Sequence, residues 1–325
     1  MKVLIEAIEY YLPSKVEGAS ALKRDNPDWK IEKIEEKTGI AKRHVSGVNE
    51  TAVDMAVSAA EKIFLSGNYR EKIDLLILVT QSPDYKLPTS ACLLQDLLRL
   101  NKDCMAFDIN LGCSGFIYAL AVAASLIETG TAKRALVICS DTYTKYIGKK
   151  DRTCRPIFSD GAAAILLKPC NYQSLGPFDM GTDGSGFFNL VVPASGARVN
   201  KLNKPKGKLF MNGPELFMFT MDVVPKTINA LLDKAGKTIK DIDLFIFHQA
   251  SKVVIDNIIR RMEIPKGKVF INYRNKGNTV SASIPIALKD AQKGGRLRAN
   301  DKIMLIGFGV GYSWGSCLIR WGGQK

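Results

Sequence analysis

This sequence has few histidines, and its cysteines form no ordered pattern. Two histidines occur in 325 residues, and the cysteines lack the C-x-x-C or Cys/His spacing of a zinc site. Their odd number and their scatter also argue against a disulfide framework and predict a reducing, cytoplasmic location. The seven are Cys92, Cys104, Cys113, Cys139, Cys154, Cys170 and Cys317. We therefore expect no metal site.

Long hydrophobic runs and linkers are missing as well. The longest apolar stretch, residues 116–127, is shorter than the about 20 residues that cross a bilayer, so it predicts a buried helix. Glu6 and Glu9 occupy what would be the apolar region of a signal peptide, which predicts a first strand and no secretion. No Pro/Ser-rich or low-complexity tract interrupts the chain, so we expect its parts to pack as one body.

Charge of one sign dominates, because 46 Lys and Arg outnumber 32 Asp and Glu and give a net charge of +14. Such a field attracts nucleic acid, membranes, coenzyme phosphates or an acidic protein. The basic groups have no interleaved aromatics, and the chain has no helix-turn-helix or RNA-binding signature. We expect neither a nucleic-acid partner nor a membrane.

An internal similarity predicts a duplicated chain. Residues 73–82 read I-D-L-L-I-L-V-T-Q-S and residues 242–251 read I-D-L-F-I-F-H-Q-A-S. Each follows an amphipathic helical pattern, at 53–65 and at 221–235.

Short apolar runs add buried strands at 106–109, 135–139, 162–167 and 303–306. The composition, 46% hydrophobic, is enough for a large core. The prediction is an α/β protein of two similar halves, roughly 1–170 and 171–325, each with a mixed sheet and covering helices.

Cys113 is the strongest candidate for a nucleophile. It lies in L-G-C-S-G, where a strand ends and a long apolar helix begins. The unpaired amides and the dipole at a helix N-terminus favour thiolate, the reactive form. The alternative is a buried structural cysteine, which is our interpretation of the other six.

His248 follows the apolar run 242–247 and opens a polar segment. Catalytic groups of α/β proteins gather at the carboxyl ends of strands, although position alone leaves a core histidine equally open. His44 has no such setting, and we expect it to be structural.

Asn278 lies in a Gly-containing loop before a helix of small residues. It could donate to a carbonyl oxygen, but by itself it fits a helix cap or turn better. The Gly-rich segment 307–316 is consistent with a simple hairpin or with an oxyanion hole of backbone N–H groups.

Together, these segments resemble the β-ketoacyl-acyl-carrier-protein synthase III family of the thiolase superfamily. The ordered motifs are G-C-S-G at 112–115, H-Q-A-S at 248–251, G-N-T-V-S-A-S at 277–283 and G-F-G-V-G-Y-S-W-G-S at 307–316. The resemblance covers almost the whole chain. It implies a thiolase-like fold of two duplicated halves in five layers, α-β-α-β-α, and a homodimer.

The resemblance also implies a decarboxylating condensation. Cys113 would carry the acyl group, and His248 and Asn278 would bind the carbonyl of a malonyl-type thioester on acyl carrier protein. Backbone amides of Cys113, Gly309 and Val310 would form the oxyanion hole. No cofactor is implied beyond the thioester substrates.

Binding roles follow from the same resemblance. Substrate-binding positions would be Leu87, Arg152, Lys37, Trp29 and Phe308, with Leu87 closing the acyl pocket across a dimer interface. Carrier-protein docking would involve Arg260, Arg261 and Lys252.

The sequence departs from the family's pattern at three positions. Lys33 replaces a family tryptophan that stacks on adenine, Lys37 replaces an arginine, and Val310 replaces a glycine. Trp29, one helical turn from Lys33, would supply the missing ring. The acyl donor, coenzyme A or carrier protein, stays open.

Several alternatives remain open for the function. The pathway could be fatty-acid initiation or a specialised one. The chain could instead transfer an acyl group to an oxygen or nitrogen acceptor without decarboxylation. A non-catalytic carrier-protein-binding partner is the third possibility, although such a protein would be expected to have lost Cys113.

Overall fold

The strands follow the predicted apolar runs. The structure, a computed structural model, describes residues 1–198 and 204–322. Each apolar run predicted as a buried strand lies inside an observed strand. In chain order the strands are β1 (Val3–Tyr11), β2 (Val16–Gly18), β3 (Lys42–His44), β4 (Leu75–Val79), β5 (Met105–Ile109), β6 (Ala135–Asp141), β7 (Gly161–Pro169), β8 (Leu175–Thr182), β9 (Leu190–Val191), β10 (Phe210–Met211), β11 (Leu244–Phe247), β12 (Lys302–Gly309) and β13 (Ser313–Arg320).

Helices occur at each of the predicted amphipathic and apolar segments, and further helices lie between them. In chain order they are α1 (Ala19–Asp25), α2 (Ile31–Thr38), α3 (Ala52–Phe64), α4 (Ser90–Leu97), α5 (Gly115–Glu128), α6 (Gly213–Ala235), α7 (Lys252–Arg261), α8 (Tyr273–Lys276) and α9 (Ser283–Lys293). The predicted start of α6 at residue 221 is wrong. The helix begins at Gly213, because Pro214 and Glu215 suit the first turn of a helix.

Two mixed sheets form the framework. The first has the order β1-β7-β6-β4-β5, with β4 parallel to both β5 and β6 and with β7 antiparallel to its neighbours. The second has the order β11-β12-β13-β8, in which only β11 and β12 run parallel. Parallel strands bring their carboxyl ends to one edge of each sheet, and this is where polar groups can gather.

The helices divide the molecule into five layers. Helices α5 and α9 lie between the sheets, and a continuous core joins Phe116 and Leu288 to the inner faces of both. Helices α3 and α4 cover the outer face of the first sheet, and α6 and α7 cover that of the second. The predicted five-layered α/β fold is confirmed, because apolar burial on both faces of each sheet requires this stacking.

The duplication remains a proposal about domain organisation. Strands of the first sheet end at Pro169, and the second sheet begins with Leu175. We propose on this basis that residues 1–170 and 171–325 are the two repeats. Within the described residues, no helix is both long enough and apolar enough to span a bilayer.

Candidate active site

Cys113 lies at the point where the two sheets meet. It follows β5 and precedes α5, and its side chain is buried. The Gly-rich hairpin between β12 and β13 backs onto the sulfur, since a Cβ on Gly309 would lie 2.9 Å from Cys113 Sγ. Glycine at 309 therefore permits the close approach of the hairpin backbone to the thiol.

The thiol is protonated in the resting protein. Burial raises the pKa of Cys113 to about 12, the charge of Asp141 adds to this, and the backbone N–H groups of Val310 and Cys113 oppose it. Burial thus opposes the thiolate form that the helix N-terminus was expected to favour. The helix itself starts at Gly115, two residues after the thiol.

His248 emerges from the carboxyl end of β11. Its backbone N–H donates to the carbonyl of Ile306 at 2.7 Å, and its ring is buried. His248 Nδ1 and Ser283 Oγ are hydrogen-bonded at 2.7 Å, while Phe308 packs edge-on with ring centroids 5.6 Å apart. Burial lowers the pKa of His248 to about 3, so the imidazole is neutral.

Asn278 lies in the loop between α8 and a short 3₁₀ turn, Val280–Ala282. Its Nδ2 is 3.3 Å from His248 Nε2, and its Oδ1 accepts from the backbone N–H of Val280 at 2.9 Å. Two backbone hydrogen bonds connect this loop to the first half of the chain. Asn278 N donates to Ile157 O at 3.0 Å, and Ser159 N donates to Asn278 O at 2.8 Å.

One cavity of about 670 Å³ brings the three side chains together. Cys113, His248 and Asn278 all line it, as do Phe308 and Gly309. Its volume lies within the range of small-molecule sites, roughly 300–1,000 Å³. The predicted convergence of a thiol, an imidazole and a carboxamide is therefore present.

Three polar residues near this cavity were not predicted as site residues. Asp141 ends β6, and its carboxylate accepts from Gln81 N at 2.8 Å and from Ser281 Oγ at 2.5 Å. Burial raises the pKa of this carboxyl to about 7. The signal available for Asp141 and Gln81 was their place at the ends of buried strands. Ser283, hydrogen-bonded to His248, had no such signal.

Some of the predicted substrate-binding residues lie at the large cavity, and others do not. Lys37 is exposed and lines the large cavity, and Phe308 lines its interior. Arg152 is exposed beside Thr153, a residue of the cavity rim. Trp29 is 4% exposed and packs with Leu22 and Ile31. This burial contradicts the expectation that Trp29 stacks on a coenzyme base, because neither ring face is free.

The remaining predicted residues lie on the surface or beside a second cavity. Leu87 is 83% exposed and lines neither cavity of the single chain. Arg260, Arg261 and Lys252 are exposed on α7, and Lys252 forms an ion pair with Asp256 at 2.9 Å. Val310 borders a smaller cavity of about 230 Å³. Across the described ranges, no group of three or more His, Cys, Asp or Glu side chains could hold a metal ion.

Comparisons with known proteins give a consistent result. Residues 107–184 match the family model of 3-oxoacyl-[acyl-carrier-protein] synthase III, and residues 232–321 match the model of its C-terminal part. A β-ketoacyl-[acyl-carrier-protein] synthase III of Natranaerobius thermophilus is 39% identical over 297 residues, which cover 89% of this chain and 90% of the relative. Its counterpart in Caldanaerobacter subterraneus is 36% identical over 319 residues, 96% of this chain and 95% of the relative.

The fold agrees with this sequence similarity. A 2.1 Å crystal structure of a 3-oxoacyl-(acyl-carrier-protein) synthase III matches with a TM-score of 0.96 and 39% identity, covering 99% of this chain and 100% of that one. The chain therefore belongs to the β-ketoacyl-acyl-carrier-protein synthase III family of acyltransferases, which have the thiolase fold.

Proposed function

We propose that this chain catalyses a decarboxylating condensation of an acyl thioester with a malonyl-type thioester on acyl carrier protein. The observation that carries the proposal is the convergence of Cys113, His248 and Asn278 in one buried cavity. The product is a β-ketoacyl thioester, formed at the start of fatty-acid synthesis or in a specialised pathway. The reaction as written needs no cofactor beyond its thioester substrates.

In the first half-reaction Cys113 takes the acyl group. Its thiol, with a pKa of about 12, loses its proton as the new sulfur–carbon bond forms. The backbone N–H groups of Cys113 and Val310, which face the sulfur, would hold the carbonyl oxyanion. The donor thiol leaves with the proton.

In the second half-reaction the malonyl-type thioester loses CO₂. Its electron pair moves onto the thioester carbonyl as an enolate, and Asn278 Nδ2 and His248 Nε2, 3.3 Å apart, can both donate to that oxygen. Ser283 Oγ lies 2.7 Å from His248 Nδ1, and a hydroxyl that donates to this nitrogen leaves the ring hydrogen on Nε2. The enolate carbon attacks the acyl carbonyl carbon, the carbon–sulfur bond to Cys113 breaks, and the departing thiolate takes up a proton from solvent.

Carrier-protein docking is assigned to one face of α7. Lys252 lies at the end of this helix where Ser251 and Val253 line the cavity, and Arg260 and Arg261 extend the positive charge along it. An acidic carrier is attracted by such a face. Lys37 at the cavity rim and the nearby Arg152 would contact phosphates of a coenzyme A or carrier-bound donor.

The protein is proposed to work as a homodimer in the cytoplasm. Strand β5 is the edge of the first sheet, and all five of its residues are half-buried, with apolar side chains at Met105, Phe107 and Ile109. Tyr85 is 61% and Leu87 83% exposed. Covering this edge with a second copy would remove unpaired backbone groups and apolar surface from water. The cytoplasmic assignment is supported by seven free thiols.

Intact-mass spectrometry tests the proposal by its two half-reactions. Wild type incubated with a panel of acyl-coenzyme A and acyl-carrier donors should gain one acyl mass, and Cys113→Ala should gain none. Cys92→Ala, which alters an exposed cysteine, is the matched control and should acylate normally. An acyl adduct retained by Cys113→Ala would remove this residue from the mechanism.

The division of roles is tested on the same protein. His248→Ala and Asn278→Asp should each slow the release of CO₂ from malonyl carrier protein about 10²-fold, because losing one donor to an oxyanion typically lowers the rate by about this factor. Acyl loading should fall less, most clearly for Asn278→Asp. Equal losses in both half-reactions would contradict the assignment of Asn278 to decarboxylation.

A further inference from the structure

A second cavity of about 230 Å³ lies beside the Gly-rich hairpin. Val310 borders it, together with Gln81, Tyr143 and Tyr146. It is close to the nucleophile, because a Cβ on Gly112 would lie 2.5 Å from Gln81 Oε1 and 2.8 Å from Val310 Cγ1. Leu190 lines both cavities and belongs to the same apolar cluster as Cys113.

The polar groups of this cavity are arranged around Gln81. Tyr143 Oη donates to Gln81 Oε1 at 2.5 Å, and Tyr143 is 4% exposed. Burial keeps the pKa of Tyr143 well above its usual value, so its hydroxyl stays a donor. The hydrogen bond from Tyr143 therefore occupies Gln81 Oε1. Within residues 1–198 and 204–322, no hydrogen-bond acceptor is recorded for Gln81 Nε2, which leaves two N–H donors at the cavity wall.

The proposed condensation needs space for two groups. The donors for the malonyl-type thioester, His248 and Asn278, line the large cavity, so the acyl chain on Cys113 must extend elsewhere. The smaller cavity adjoins Gly112 and is below the roughly 300–1,000 Å³ of pockets for drug-sized ligands, so it admits a short chain.

With the acyl group in the smaller cavity, we propose that Gln81 selects a short acyl chain bearing a hydroxyl or carbonyl oxygen near its third carbon. This inference rests on the proposed function. The selected oxygen accepts from Gln81 Nε2, while Tyr143 fixes the orientation of the amide. Gln81 Oε1 lies against Gly112, and Nε2 belongs to the same amide group. The recognised oxygen is therefore near the thioester and not at the end of a long chain.

The loading step balances for such a donor. The Cys113 sulfur bonds to the acyl carbonyl carbon, the carbon–sulfur bond of the donor thioester breaks, and the donor thiol carries away the proton. The oxygen on the third carbon takes no part in bond making. Gln81 and Tyr143 are therefore specificity-determining residues and do not act on the reacting atoms.

The test uses two donors of the same shape, 3-hydroxybutyryl-coenzyme A and 3-methylbutyryl-coenzyme A, which differ by a hydroxyl in place of a methyl group. Wild type should load the hydroxylated donor about 10-fold faster at Cys113, as expected for one hydrogen bond of about 1.4 kcal/mol. Gln81→Leu, which keeps the side-chain size, should reverse the order. Tyr143→Phe should bring the ratio of the two loading rates closer to one, because the Gln81 amide can then rotate.

The readout is the ratio of the two loading rates within each variant, so a general loss of activity cancels. Equal rates in wild type, or a ratio that Gln81→Leu does not change, would overturn the inference. Acetyl-coenzyme A and an acetylated carrier protein serve as references in every experiment. If they still load Cys113 while the ratio is one, the proposed function stands and only the selectivity fails. If no donor loads Cys113, the proposed function itself fails.

Discussion

Cys113 and His248 face one cavity with pKa values far from neutrality and in opposite directions. Burial raises the first to about 12 and lowers the second to about 3, so both side chains are uncharged at neutral pH. An uncharged pair suits a dry cavity, where an isolated charge would be costly. The resting thiol is also a poorer target for oxidants than a thiolate, which protects the nucleophile between turnovers.

His248 should make the protein sensitive to acid. An unfolded imidazole takes up a proton near pH 6.5, whereas the folded one resists until about 3, so the unfolded state binds more protons within that interval. Its contribution to stability is present above pH 6.5 and is lost as the pH falls through this window. Between pH 7 and pH 4.5, the free energy of unfolding of His248→Gln should therefore fall less than that of wild type, by about 2–3 kcal/mol.

Urea unfolding at the two pH values measures this difference. His44→Gln is the matched control, because it removes the other imidazole, whose Nδ1 bonds the carbonyl oxygen of Pro13 at 2.8 Å outside the cavity. If wild type and His248→Gln lose stability in parallel on acidification, the imidazole is not held neutral by the fold.

At the scale of elements, α7 joins the cavity to the protein surface. Its first turn lines the cavity, and its last residues, Arg260 and Arg261, lie about 12 Å further along the axis at 1.5 Å per residue. The helix presents its charges on the exposed side, while Ile255, Ile258 and Ile259 are buried. This amphipathic arrangement makes the basic surface rigid, as docking of a carrier requires.

Reversing the charge of Arg260 and Arg261 to Glu should raise KM for malonyl carrier protein about 10-fold at low salt and leave acyl loading from coenzyme A donors nearly unchanged. The matched control is Lys102→Glu with Lys133→Glu. It makes the same charge change just before β5 and β6. The amino ends of these strands are at the opposite end of the first sheet from Cys113, which follows the carboxyl end of β5. Steady-state kinetics at two salt concentrations would decide, and equal effects of both double variants would place docking elsewhere.

Much of this arrangement could be predicted because it depends on local pattern. Continuous apolar runs specify β5 and α5, and the glycines between them fix the turn that holds Cys113. The rest depends on packing between distant segments. Burial of Trp29 depends on packing between α1 and α2. The bond from Ser281 to Asp141 and the contact of the Gly309 hairpin with Cys113 arise only when both halves are assembled. Val280 adopts a left-handed φ of 54° that its β-branched side chain disfavours, so no propensity rule predicts it.

At the scale of the whole molecule, the exposed edge of the first sheet predicts a dimer. Light scattering should give twice the chain mass of 35.7 kDa. Phe107→Asp on β5 should shift the protein towards monomers, because it places a charge within a half-buried apolar edge. Phe188→Asp, a change at a 47% exposed phenylalanine, is the control and should remain dimeric. A monomeric wild type at micromolar concentration would contradict the assembly.

The loop of Asn278 lies in the proposed second repeat, but its main chain is hydrogen-bonded to Ile157 and Ser159 of the proposed first repeat. Cys113 lies in the first of these segments, and His248 and Asn278 lie in the second. Neither segment alone therefore holds all three side chains of the cavity, and the second segment alone lacks the backbone that orients the Asn278 amide. Separate expression of either segment should yield no acyl transfer.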